Sequence, residues 1–322
     1  MWAGFREQRT APCHNSDRMN KTCIISLVTA ISLCASCQTN RQNLNGKAYT
    51  LKGSLCADSG LVGKGHKEIN AFMNVLGWNY TEPPNISAND HPDGRHCEVV
   101  YDKELGQYVF RFTLHANGEH LDGDRGKRDD RQRNEMKSQT SGQWQHLNGN
   151  IGETQVLKWK FKLPKGFRPS TKFCHIHQLK AQEGNNGAPL ITISTRCDRS
   201  GNNRRVQVIH TGDTRQSSKG VIIDNLPLND FEDQWIEVTT QMLYKHDGAF
   251  RIEMKRVRDN KTLVDKRFEH IDLWRTGATN IRNKFGLYRS YGRKMANEDD
   301  RPDNGIKDET IDLADLRVYE KE

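Results

Sequence analysis

Three short segments carry reactive side chains at spacings that an extended strand would line up. Side chains alternate across a strand, so in segment 130–137 (DRQRNEMK) Arg133, Glu135 and Lys137 share a face, with Arg131 one step earlier. Segment 173–178 (FCHIHQ) points His175 and His177 the same way. Segment 284–289 (KFGLYR) sets Lys284, Gly286 and Tyr288 opposite Phe285 and Leu287, with Arg289 following. An arginine fork holds a carboxylate through two hydrogen bonds and keeps its charge at any working pH. Histidine titrates near neutrality and can take a proton, and a tyrosine hydroxyl can deliver one. Each segment alone also has an ordinary reading: a solvated, salt-bridged strand face, hydrogen-bonded histidines, a packing tyrosine. Their joint occurrence is what points to chemistry.

The elements that must position these residues read as strands. Apolar residues alternate with polar ones over 107–115 and 155–163, and shorter candidates lie at 172–180, 190–196, 205–210, 235–243, 250–256, 284–290 and 316–320. Turn-rich stretches such as EGNNGAP (183–189) and DRSGNN (198–203) separate them. Helical periodicity is confined to 67–76. Many short strands in one long domain predict an all-β sandwich or jelly roll of two antiparallel sheets.

Taken in order, the three reactive strands resemble the jelly-roll polysaccharide lyases of the alginate lyase type, and at the same level the glucuronan lyases and jelly-roll heparin lyases. Those enzymes carry an Arg-x-Glu-x-Arg strand, a Gln-x-His strand and a late Lys-x-Gly-x-Tyr strand. The matching positions are Arg133-Asn-Glu-Met-Lys137, His175-Ile-His177 and Lys284-Phe-Gly-Leu-Tyr288, with Lys137 replacing the second Arg and His175 the Gln. The resemblance implies a concanavalin A-like β-jelly roll over 51–322 that cleaves a uronic-acid-containing anionic polysaccharide, glucuronan- or alginate-like, by β-elimination. In that reaction a cation must stabilise the enolate-like intermediate while a base removes the C5 proton and an acid protonates the departing O4. Arg133 would neutralise the carboxylate, and His177 and Tyr288 would act as base and acid in an order the sequence leaves open. His175, Glu135, Lys137, Lys284, His115 and Arg289 are the expected substrate contacts. No cofactor is required. A non-catalytic, lectin-like carbohydrate-binding jelly roll is the alternative; it would need cations and aromatic platforms but no Tyr/His pair.

Further residues add to or limit this reading. Lys158, Lys160 and Lys162, with Arg111 and Lys180, are expected to line or flank a basic groove, or else to form a plain solvated face. The glycine-rich stretch 115–125 would be a loop at its mouth, offering His120 or Arg125. His175 and His177 have no third ligand at a motif-like spacing, so no metal site is expected. The acidic run 297–304 has the oxygen ligands a structural Ca²⁺ accepts but no EF-hand pattern, and reads as a flexible acidic loop. The Glu-x-Asp-x-x-Glu cluster of jelly-roll glucan hydrolases is absent.

The N-terminus supplies the compartment. From Met19 the chain runs MNKTCIISLVTAISLCASC, a lysine, an apolar run and small residues before Cys37. This predicts an upstream, non-native start over 1–18, a lipoprotein-type signal peptide over 19–36, lipidation at Cys37 and a tether over 37–50. The protein is accordingly expected to be secreted across a bacterial inner membrane and held by lipid in the periplasm or at the cell surface, as a monomer. The net charge of the whole chain is +8, and removing 1–36 takes away only four basic and two acidic residues. The folded part is therefore basic, which suits a polyanionic partner, and export argues against nucleic acid. Cys56, Cys97, Cys174 and Cys197 remain and permit two disulfides in an oxidising compartment.

Overall fold

A pleated strand sends alternate side chains to opposite faces, and the sequence uses this to build a core between two sheets. Leu157, Trp159 and Phe161 are fully buried, while Lys158, Lys160 and Lys162 of the same strand lie on its other side. The structure, a computed structural model, describes residues 41–44, 46–84, 90–91, 94–116, 131–291 and 305–322, all within one unit, Thr39–Glu322.

Among the described residues the strands are β1 (Arg41–Leu44), β2 (Lys47–Leu55), β3 (Trp78–Glu82), β4 (Asp90–His91), β5 (Gly94–Arg95), β6 (Cys97–Asp102) and β7 (Gln107–Leu114). They continue with β8 (Arg131–Ser138), β9 (Thr154–Lys162), β10 (Cys174–Gln182), β11 (Ile191–Arg196), β12 (Arg205–His210) and β13 (Gly220–Pro227). The last are β14 (Trp235–Leu243), β15 (Gly248–Arg256), β16 (Thr262–Ile271), β17 (Asn280–Ser290) and β18 (Glu309–Lys321). Among the described residues there is one α-helix, α1 (His66–Val75), which buries Ile69 and Met73.

Two antiparallel sheets pack face to face as a β-jelly-roll sandwich. One has seven strands in the order β13-β12-β11-β10-β17-β8-β3. The other has nine, in the order β1-β2-β18-β9-β14-β15-β16, with β6 and β7 joined through β18. Trp78, Trp159, Phe110, Phe112, Phe161 and Phe285 fill the space between the sheets. Within the stretch read as a tether, β1 pairs with β2, with Arg41 opposite Thr50. Cys97, Cys174 and Cys197 are buried and form no disulfide, so the two disulfides permitted among the four cysteines do not form.

Two local features set up the polar face of the seven-stranded sheet. Gly286 adopts φ +135°, and a Cβ there would stand 2.2 Å from the Asn134 carbonyl oxygen. Only glycine lets β17 approach β8 this closely, which explains the middle of Lys-Phe-Gly-Leu-Tyr. In β10 the register with both neighbours slips between His175 and His177, a β-bulge. An extra residue at a bulge turns the following side chains over to the opposite face.

Candidate active site

On the polar side of the seven-stranded sheet, β8 and β17 run with Lys137 opposite Lys284, Glu135 opposite Gly286, and Arg133 opposite Tyr288. Arg133, Glu135, Lys137, Lys284 and Tyr288 therefore meet on one face. The Arg133 guanidinium lies over the Tyr288 ring, 4.2 Å from its centroid, a cation–π contact. Arg131 Nη1 donates to the Tyr288 hydroxyl oxygen at 3.1 Å. Arginine cannot accept, so the tyrosine keeps its own O–H proton for another partner.

His175 joins this corner and His177 does not. The His175 ring is 6.0 Å from Tyr288 and stacks on Phe173 at 4.9 Å between centroids. Its Nδ1 is 2.7 Å from Ser194 Oγ, which itself donates to Thr192 Oγ1. With that donor spent, Ser194 accepts from Nδ1–H, and Nε2 is the nitrogen with the lone pair. Burial, then the charges of Arg196, Lys284 and Lys180, push the His175 pKa down to about 3, so the ring is neutral. His177, expected as base or acid on the same face, lies in the core against Trp159 and Phe285. It is fully buried, and neither ring nitrogen has a hydrogen-bond partner. The bulge is the physical cause: it puts Ile176 and His177 both on the core side and brings Gln178 to the polar face.

Gln178 donates to Glu135, and Lys284 Nζ reaches the other oxygen of that carboxylate at 2.8 Å. Glu82, from β3, completes the cluster by accepting from Lys284, Lys137 and Arg133. Neither Glu82 nor Gln178 was identified from the sequence. Gln178 needed the bulge, and Glu82 needed the pairing of β3 with β8. Along the same face, Lys180 lies opposite Arg282, and Lys180 donates to the Gly187 carbonyl. Burial, followed by Lys284, Arg282, Arg133 and Arg275, lowers the Lys180 pKa to about 8.

Other expected contacts lie elsewhere. Arg289 is fully buried on the core side of β17, donating to Gln132 Oε1 at 2.7 Å and to the Lys307 carbonyl. Strand alternation places it opposite Tyr288. His115 is buried beside His96, and its carbonyl accepts from Gln132 on the core side of β8. The expected basic groove of Arg111, Lys158, Lys160 and Lys162 belongs to the nine-stranded sheet. There Arg111 pairs with Asp312, Lys160 with Asp315, and Lys162 with Glu104. Cys37, His120, Arg125 and the acidic run 297–304 lie outside the described residues. Among the described residues no group of three His, Cys, Asp or Glu side chains is arranged to hold a metal.

No protein-family model and no curated protein matches the chain. Solved structures similar to it include an endo-β-1,4-glucuronan lyase from the fungus Trichoderma reesei, at 15% identity and a TM-score of 0.48, covering 84% of this chain and 95% of that one. An alginate lyase from Pseudomonas aeruginosa has 18% identity and a TM-score of 0.45, covering 75% and 97%. The alginate lyase A1-II′, of polysaccharide lyase family 7, has 12% identity and a TM-score of 0.47, covering 77% and 96%. These belong to the group that the three strand motifs resemble.

Proposed function

We propose that this protein is a polysaccharide lyase that cleaves a uronic-acid-containing anionic polysaccharide by β-elimination on the polar face of its seven-stranded sheet. The observation that carries the reading is the corner made by Tyr288, His175, Arg131 and Arg133. A neutral imidazole with a lone pair on Nε2 stands beside a phenol whose proton is uncommitted, and a guanidinium stacks over that phenol.

In this reading Arg133 binds the uronate carboxylate and stabilises the negative charge that develops as the C5 proton leaves. His175 takes the place given to His177 in the sequence reading and removes that proton through Nε2. Tyr288 delivers its proton to the glycosidic O4 as the C4–O4 bond breaks, which forms the C4–C5 double bond of the product. Lys180 and Arg282 continue the positive surface along the sheet, where further carboxylates of the chain would lie. No group outside the chain is needed for any step. Export and a lipid anchor at Cys37 are part of the same proposal, and mass spectrometry of the membrane-associated protein for a diacylglycerol adduct at Cys37 tests them.

The decisive experiment follows the ultraviolet absorbance of the unsaturated uronate product while the purified chain meets a panel of uronate polysaccharides. Wild type should raise the absorbance with at least one glycan. Tyr288→Phe should lower the rate by about 100- to 10,000-fold while still binding. Tight binding by wild type with no unsaturated product would instead identify a lectin-like protein.

A further inference from the structure

Glu82 and Glu135 face each other as register partners of β3 and β8, and their side chains are 13% and 0% exposed. Like charges directly opposite on neighbouring strands repel, and a buried carboxylate is costly unless paired. Three cations offset that cost. Glu82 Oε2 accepts from Lys284 Nζ at 2.5 Å and from Arg133 Nη1 at 3.2 Å, and Oε1 accepts from Lys137 Nζ at 3.1 Å. Lys284 bridges on to Glu135 Oε2 at 2.8 Å. Burial alone would raise the Glu82 pKa, but Lys284, Lys137 and Arg133 outweigh it and hold the carboxyl well below the usual range. Among these five side chains three cations stand against two carboxylates, one positive charge in excess, with Arg282 of the same face close by.

Arg133, Lys137 and Lys284 are therefore already held by a protein carboxylate on an edge strand. Arg133 has one arm on Glu82 while its plane covers the Tyr288 ring. A guanidinium anchored at one edge keeps its plane in one orientation, whereas an unanchored one samples many rotamers.

We infer that Glu82 is a positioning and specificity-determining residue, an internal anion that fixes Arg133 over Tyr288 and trims the cluster's excess charge to that of one substrate carboxylate. The inference rests on the uronate-binding reading of this face. Without Glu82 the cluster would carry two excess charges, attract any polyanion more strongly, and let the substrate carboxylate settle on the lysines instead of on Arg133.

The test measures two quantities on the full chain, namely affinity for a uronate oligosaccharide by calorimetry and kcat for elimination. The variants are Glu82→Gln, Lys137→Gln, the double variant and Glu82→Asp. Glu82→Gln should bind about 3- to 10-fold more tightly, with a steeper loss of affinity in salt. Its kcat should fall about tenfold or more, because Arg133 is no longer held. Lys137→Gln should bind more weakly by a similar factor, and the double variant should return near wild-type affinity while keeping the low kcat. Glu82→Asp retains the charge and should keep affinity near wild type with a reduced kcat. A purely structural Glu82 would instead weaken binding in Glu82→Gln with no recovery in the double variant; that pattern, or unchanged affinity and kcat, overturns the inference. If Glu82→Gln does not fold, Lys137→Gln and Glu82→Asp decide, and unaltered binding in the first with unaltered kcat in the second overturns it equally. The affinity order needs no turnover. A wild type that binds but never eliminates would therefore defeat the lyase reading and leave affinity to judge Glu82.

Discussion

The outer faces of the two sheets are both rich in charge, yet they are organised differently. On the nine-stranded sheet cations meet carboxylates mostly in couples: Arg111 with Asp312 through two hydrogen bonds, Lys52 with Glu320 and Arg251 with Asp265. Among the described residues sharing there goes no further than Asp315 between Lys160 and Arg317 or Lys162 between Asp102 and Glu104. On the seven-stranded sheet the charges are shared. Glu82 holds three cations, Lys284 bridges two carboxylates, and aromatic and imidazole rings stand among them. A couple satisfies itself and asks for no ligand. A shared cluster with a surplus of cations next to an imidazole and a phenol suits the proposed function, in which an anion is received and acted on. Charge density alone, which the lysine row of β9 has in abundance, does not separate the two faces.

The contrast is sharpest within β10, where one bulge sends His175 to the polar face and His177 to the core. His175→Ala should lower kcat by about 100-fold with intact folding, whereas His177→Phe, which keeps a ring between Trp159 and Phe285, should leave kcat unchanged. Rates from the absorbance assay decide this pair, and the reverse ranking would return the chemistry to His177. The acid side of the rate profile gives a second reading. A histidine base with an ordinary pKa would lose activity below about 6.5, while His175, held to about 3, should show no such limb through pH 5.

His177 should betray itself in stability instead. Its pKa is pushed from 6.5 to about 3 by burial, so the folded chain stays unprotonated where the unfolded chain gains a proton. Stability is thus fully present above about 6.5 and falls as the pH drops toward 3, by up to about 1.4 kcal/mol per pH unit for this residue. Between pH 6.5 and 4.5 the buried histidines dominate, since the pairing of Glu82 is lost only at lower pH. Thermal melts across that window should show a shallower slope for His177→Phe than for wild type; an equal slope would mean that the ring is not held neutral in the core.

Much of this arrangement was legible in the residues. The alternation of Leu157, Trp159 and Phe161 with lysines located β9, and the Arg-x-Glu-x-Lys and Lys-x-Gly-x-Tyr spacings put five side chains on one face, because β8 and β17 are regular over that stretch. Three things were not. Against β11 the bulge adds one residue to β10 without any compositional mark, so the face of His177 and the recruitment of Gln178 could not be read. Glu82 reaches the cluster through a strand pairing distant in sequence, and its own strand, Trp-Asn-Tyr-Thr-Glu, gives no sign of it. The sheet to which the lysine row belongs depends on topology. Arg289 is a different case: alternation already set it opposite Tyr288, and the buried polar network around Gln132 explains why an arginine is there.

The smallest expected effect tests the quiet face. Lys162 pairs with Glu104 at 2.8 Å, and the two side chains are 21% and 31% exposed. Water screens such a pair, and holding two flexible side chains together costs entropy, so Lys162→Ala should change stability by about 1 kcal/mol or less. If β9 is only the outside of the sandwich, the same variant should leave both kcat and the affinity for a uronate oligosaccharide at wild-type values. A clear loss of affinity would mean that the polyanion also touches the nine-stranded sheet. In that case sharing of charges would not be what distinguishes the binding face, and the lysine row would regain the role its spacing first suggested.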